Sequence, residues 1–191
     1  MRIGHSSTSA SLSSKAIDLP VTSDPAPPAR DDNAIRVMHF NINCRDFDRA
    51  VAFYQLIGFR PYSRAEPGAP LGVMGRFGAV GLGPVLGLPE TCDGRFMALS
   101  FGGQAESTVL DLIEWTEPRV EPEPRRSMAQ PGVARICLKV RSCDEVHERL
   151  VAHGHKPYSA PIRIDLTGYR FNVFCCEDPD GVVMEFMETL S

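Results

Sequence analysis

His39, Glu114, Glu185 and Arg135 are the side chains whose types and settings could do chemistry in this chain. His39 lies in the stretch 36–43, which alternates: Met38, Phe40 and Ile42 take one face, Val37, His39, Asn41 and Asn43 the other. Glu114, in Leu112-Ile113-Glu114-Trp115, and Glu185, in Met184-Glu185-Phe186, sit between apolar neighbours on segments that need one buried face. An imidazole can take a proton or a metal, and a carboxylate can do either. A guanidinium such as that of Arg135 stays protonated and only donates. Taken alone, His39 on a half-polar strand is more often an ordinary satisfied histidine. His153 and His155 fall near a helix end and read as surface groups, and His5 lies in a Ser-rich terminus.

Other candidate chemistry is weaker. The six cysteines include no CxxC pair, and several lie in apolar strand-like segments where a thiol acts as a small hydrophobe. Cys175-Cys176 reads as packing. Gly81-x-Gly83 is followed by Pro84 and by no predicted helix, which argues against a nucleotide loop. A net charge of −4 gives no support for nucleic acid as a partner, and no apolar run reaches bilayer length. The N-terminus shows no secretory apolar region, so a reducing cytoplasm is the expected location.

The elements that must position these residues come as a repeat. Gly58-Phe59-Arg60-Pro61-Tyr62-Ser63 matches Gly154-His155-Lys156-Pro157-Tyr158-Ser159 at Gly, Pro, Tyr and Ser, and the same spacing relates Val37 to Val133, Arg45 to Arg141 and Asp48 to Asp144. Strands are expected at 36–43 and 133–140, each leading into a helix. The first helix carries Phe47, Ala50, Val51, Tyr54 and Ile57 at helical spacing, with Asp46 as N-cap and Gly58 as stop. In the second, Ser142 and Glu145 have capping-box spacing, Val146 and Leu150 form the buried stripe, and Gly154 ends it. Further strands are expected at 96–101, 109–115, 169–176 and 182–187, the last two joined by the turn Asp178-Pro179-Asp180-Gly181. Residues 1–33, rich in Ser and Pro, are expected to be a disordered tail. Residues 67–94 hold eight of the sixteen glycines and are expected to form a flexible loop or lid. The expected layout is a domain at 34–188, with module one at 34–117, a linker at 118–131 and module two at 132–188.

Asp46–Gly58 resembles the helix motif, and Asp178-Pro179-Asp180-Gly181-Val182-Val183-Met184-Glu185 the closing signature, of the vicinal oxygen chelate superfamily of glyoxalases, bleomycin-resistance proteins and extradiol dioxygenases. The resemblance covers about residues 35–188. It implies an α+β fold of two tandem βαβββ modules, forming a curved, cup-shaped mixed sheet with helices on its outer face.

The resemblance also implies a site. Metal-binding members place a ligand on each module's first strand, here His39 and Arg135, and a carboxylate on each last strand, here Glu114 and Glu185. His39, Glu114 and Glu185 would then hold a divalent metal of unspecified identity, and Glu185 or Glu114 would shuttle a proton between carbons. Arg135 departs from the pattern: it either neutralises the glutamates without a metal or grips an anionic substrate. Tyr169 and Arg170 are further substrate contacts by the same resemblance. The implied activity is a metal-dependent lyase or isomerase acting on a small oxygenated substrate through an enediolate or enolate. The alternatives are a metal-free small-molecule binding protein similar to bleomycin-resistance proteins, and an extradiol-type dioxygenase. The implied partner is a small molecule, with neither nucleic acid nor membrane; a homodimer stays open.

Overall fold

Strand alternation and helix capping decide which side of each sheet is buried. The computed structural model describes residues 36–61, 73–75, 82–101, 108–121, 123, 127–166 and 168–190; the expected tail at 1–33 lies outside them. Module one runs β1 (His39–Asn43), α1 (Phe47–Leu56), β2 (Phe59–Pro61), β3 (Val73–Gly75), α2 (Leu82–Val85), β4 (Asp93–Phe101) and β5 (Val109–Glu117). Module two runs β6 (Ile136–Lys139), α3 (Cys143–Ala152), β7 (Ile162–Leu166), β8 (Tyr169–Glu177) and β9 (Val183–Leu190). The first sheet has the order β1-β5-β4-β2, with β3 also on β4, and the second has the order β6-β9-β8-β7. In each, the first strand runs parallel to the last and the remaining pairs are antiparallel.

This is the expected α+β arrangement of two βαβββ modules, in the form of two open mixed sheets. Three strands escaped the sequence reading: β2, β3 and β7. The segment expected as a lid contains β3 and the single turn α2, and its residues 67–72 and 76–81 lie outside the described ones.

The two ten-residue helices, α1 and α3, begin where a side chain accepts an orphan amide. Asp46 Oδ1 accepts from Arg49 N at 3.0 Å and Ser142 Oγ from Glu145 N at 3.2 Å; such a cap contributes about 1 kcal/mol. Gly58 and Gly154 follow the C-caps at φ +109° and +83°, a region costly for any residue with a Cβ. Between those limits α1 buries Phe47, Ala50, Phe53 and Tyr54, and α3 buries Cys143, Val146 and Leu150. They pack on Leu99, Leu110 and Leu112 of the first sheet and on Phe174, Met184 and Phe186 of the second, in one core that spans both modules.

A polar contact in that core joins the modules. Tyr54 on α1 is fully buried and donates its phenol to Asp178 Oδ2 at 2.7 Å. The other oxygen of Asp178 accepts from the amides of Asp180 and Val182, closing the β8–β9 turn. Burial raises the Asp178 carboxyl, and the phenol and the two amides pull it back. Arg45 completes the junction, with Nε 2.8 Å from Asp180 Oδ1.

Candidate functional site

The alternation that buries one face of each sheet leaves an open face carrying the candidate residues. On β1, Ile42 enters the core, so His39, Asn41 and Asn43 line the other side. On β5, Leu110 and Leu112 are buried under α1, so Asp111, Ile113 and Trp115 share the open side with them. Asn41 lies opposite Asp111 and Asn43 opposite Ile113. His39 Nε2 is 3.8 Å from Asp111 Oδ2, and burial raises the Asp111 carboxyl against the pull of His39. Trp115 Nε1 donates to Asn43 Oδ1 at 2.9 Å.

The open face of module two is built alike from different residues. Cys137 of β6 lies opposite Glu185 of β9, which lies opposite Cys175 of β8. Arg135, just ahead of β6, places Nε 2.8 Å from Glu185 Oε1. The Cys137 thiol is pushed up to about 11, first by desolvation, then by its hydrogen bond to Glu185 and the charge of that carboxylate.

Strand register shows where each expected ligand falls. Asn41 and Cys137 occupy equivalent places in the repeat; their partners are Asp111 and Glu185. Asp111 is therefore the module-one counterpart of Glu185, three residues before Glu114. Glu114 itself shares the helix-side face with Leu110 and Leu112. Its Oε2 accepts from Arg95 Nε at 2.6 Å, and that guanidinium lies 4.5 Å over the Phe47 ring at the start of α1. Its counterpart in module two is Glu188, whose Oε2 accepts from Cys143 N and Asn172 Nδ2 at the start of α3. Glu188 thus serves the N-terminus of α3, where negative charge is favoured, whereas Glu114 is held by the Arg95 guanidinium.

The structure does not bring His39, Glu114 and Glu185 together. Among the described residues no group of three or more His, Cys, Asp or Glu is placed to hold a metal ion. Glu185 has Arg135 where a cation would be, and Glu114 faces the other way. The residues present do not fit the expected metal. Of the two proposed substrate contacts, Tyr169 is highly exposed and shares the face of Phe171, Val173 and Cys175, the open face that Glu185 also occupies. Arg170 alternates to the opposite face.

One cavity of about 680 Å³ lies against the open face of module one, with Asn41, Asn43, Ile113 and Trp115 as its floor. Leu86 and Leu88, just after α2, form a wall, and Arg119 and Glu121 stand at the rim beyond β5. The volume is in the range of small-molecule sites, roughly 300–1,000 Å³. The expected set contained none of the floor residues, although alternation alone places Asn41 and Asn43 beside His39.

The sequence profile of the glyoxalase/bleomycin resistance protein/dioxygenase superfamily matches residues 36–186. No curated protein matches the chain significantly. Among solved structures, a glyoxalase family protein from Bacillus cereus is 17% identical with a TM-score of 0.67, over 86% of this chain and 100% of its own. A glyoxylase/bleomycin resistance protein/dioxygenase domain from Frankia sp. EAN1pec is 15% identical with a TM-score of 0.54, over 83% and 95%. The trypanothione-dependent glyoxalase I of Leishmania major is 18% identical with a TM-score of 0.50, over 81% and 87%. At these identities the likeness concerns the fold. No helix among the described residues is long and apolar enough to cross a membrane.

Proposed function

We propose, because the chain belongs to the glyoxalase/bleomycin resistance protein/dioxygenase superfamily, that it is a small-molecule binding protein whose site works without a divalent metal. The observation that carries this reading is the contact of Arg135 Nε with Glu185 Oε1 at 2.8 Å. A guanidinium there supplies the positive charge that a metal would bring, and cannot itself be a ligand. The metal-dependent lyase or isomerase needs His39, Glu114 and Glu185 on one ion, and Glu114 is turned to the helix side. An extradiol dioxygenase would need a histidine where Arg135 stands.

The His39–Asp111 pair favours a second reading. An imidazole beside a carboxylate can take a proton from carbon next to a carbonyl and return it, an isomerase-type step that the chain's own residues could perform. Under either reading the domain occupies residues 34–188 behind a tail at 1–33, its partner is a small molecule, and self-association into a homodimer is an added proposal. A cytoplasmic location suits six free cysteines, four of them buried.

The test is metal content of tag-free protein by elemental mass spectrometry, with Arg135→His and Glu185→Ala in parallel. The binding reading expects the wild type to stay well below one divalent ion per chain after incubation with zinc or iron(II). Near-stoichiometric metal in the wild type that disappears in Glu185→Ala would overturn it and restore the metal-dependent lyase. Arg135→His is expected to gain metal affinity.

A further inference from the structure

The cavity of module one has a chemistry narrower than "small molecule", and its narrowing rests on the metal-independent reading above. Its floor joins an indole to two amides. An indole N–H can only donate, so the Asn43 oxygen facing Trp115 Nε1 at 2.9 Å is the acceptor, and Asn43 presents its NH₂ donors to the cavity. Asn41, two residues earlier on the same face of β1, adds a second amide. Ile113, Leu86 and Leu88 make the rest apolar.

Charge at the rim is unevenly committed. Arg45 and Asp180 hold each other, with both Asp180 oxygens engaged, through Arg45 Nε at 2.8 Å and Arg45 N at 3.1 Å. Glu121 is close enough to Arg45 to strengthen its hold on the proton. Arg119 makes no ion pair among the described residues; its Nη2 reaches only the carbonyl of Arg45 at 3.5 Å, two residues beyond Asn43. Among the described residues, one cation without a carboxylate partner thus lines the same cavity as Asn43, at the edge of an apolar slot floored by Trp115.

We propose that this cavity binds a planar aromatic carboxylate, its ring against Trp115 and its carboxylate shared between Asn43 Nδ2 and the Arg119 guanidinium. Both interactions are charge-assisted hydrogen bonds, which outweigh neutral ones. Aromatic stacking on the indole adds the preference for a flat ring.

Trp115 is the only tryptophan of the chain, so its indole N–H gives a single side-chain signal in a ¹⁵N–¹H spectrum and reports directly from the cavity floor. The full-length protein, in chelator, is titrated with 2-naphthoate, 2-naphthamide, 2-naphthylmethylammonium and cyclohexanecarboxylate. Saturable movement of the indole signal is expected with 2-naphthoate, about tenfold tighter than with the amide or the ammonium, since the carboxylate alone gains the charged partner. Arg119→Gln, at an exposed position, is expected to remove the preference for naphthoate over naphthamide while naphthamide binding persists. Asn43→Asp keeps an acceptor for Trp115 and is expected to repel the carboxylate. Equal or tighter binding of the ammonium, or an unchanged preference in Arg119→Gln, would overturn the ligand class, as would an indole signal indifferent to every probe. Naphthoate binding that appears only after a divalent metal is added would instead overturn the metal-independent reading and leave the ligand class standing.

Discussion

The two open faces of this molecule are built on one plan and carry opposite chemistry. Module one sets His39 against Asp111 at 3.8 Å; module two sets Arg135 against Glu185 at 2.8 Å, in the equivalent positions. Module one then continues into Asn41, Asn43, Ile113 and Trp115 and is walled by Leu86 and Leu88, which belong to an insertion that module two lacks. Module two instead surrounds its carboxylate with Cys137 and Cys175, and leaves Ile162 and Leu166 of β7 more than half exposed. Repeating a βαβββ unit conserves which face is open. It does not conserve what the face does: on module one Ile113 is buried with Cys92 against Leu88, Phe96 and Trp115, whereas on module two Cys137 is exposed.

Under the helices the comparison takes a different form. Tyr54 on α1 and Leu150 on α3 are equivalent and both fully buried, but only Tyr54 has a polar partner, Asp178 in the opposite module. Truncating Leu150→Ala is expected to cost about 2–5 kcal/mol by transfer and cavity terms. Removing one hydroxyl in Tyr54→Phe leaves Asp178 with its two amide contacts and no phenol, and is expected to cost about 1–3 kcal/mol. Urea unfolding of both variants measures the pair. If Tyr54→Phe is as stable as the wild type, the phenol–Asp178 contact contributes nothing, and the apolar core with the Arg45–Asp180 pair joins the modules.

The open-face pairs should differ in the same sense but by less. Glu185 is mostly covered and Arg135 is its close partner, so Arg135→Ala is expected to destabilise by about 1–2 kcal/mol, the cost of a largely buried carboxylate left unpaired. His39→Ala removes a longer contact from a half-exposed ring and is expected to stay within about 0.5 kcal/mol. Comparable losses in the two variants would show that the pairs are equivalent in strength and that the contrast between modules is one of residue type only.

Much of this architecture was legible in the sequence for identifiable reasons. Asp46 with Gly58, and Ser142 with Gly154, mark helix ends through local chemistry that needs no tertiary context. Alternation through Phe40 and Ile42 correctly assigned His39, Asn41 and Asn43 to the open side of β1. The short strands were harder: β2 is three residues ending in Pro61, and β3 and α2 sit in a glycine-rich insertion without periodicity. β7 does alternate, as Ile162-Arg163-Ile164-Asp165-Leu166, so its strand signal is present in the sequence.

Glu114 illustrates why the site was harder than the fold. A motif says that a carboxylate belongs near the end of the last strand, but a parallel pairing between distant strands decides which one. Counting by twos from buried Leu110 and Leu112 sends Glu114 to the helix side and Asp111 to the open side. Only the register of β1 on β5 ties that count to His39.

The finest contrast between the faces is at Cys137, which stands where module one has Asn41. Its thiol, near 11 rather than the ordinary 9.0, is held protonated by desolvation and by Glu185, and eased by Arg135. At pH 8 the thiolate is then a small fraction, so alkylation is expected to be slow even though the residue is exposed. Glu185→Gln removes a charge that raises the thiol and is expected to speed iodoacetamide labelling of Cys137 several-fold at pH 8. Arg135→Ala removes the charge that lowers it and is expected to slow labelling. Site-resolved mass spectrometry of the labelled protein follows Cys137, with buried Cys44, pushed up to about 12, as the internal reference that should not change. Opposite signs in the two variants would mean that the carboxylate and the guanidinium act on the thiol as separate charges. Equal signs would mean that the pair acts by its shape, and the second module's open face would then be a packed surface rather than an electrostatic one.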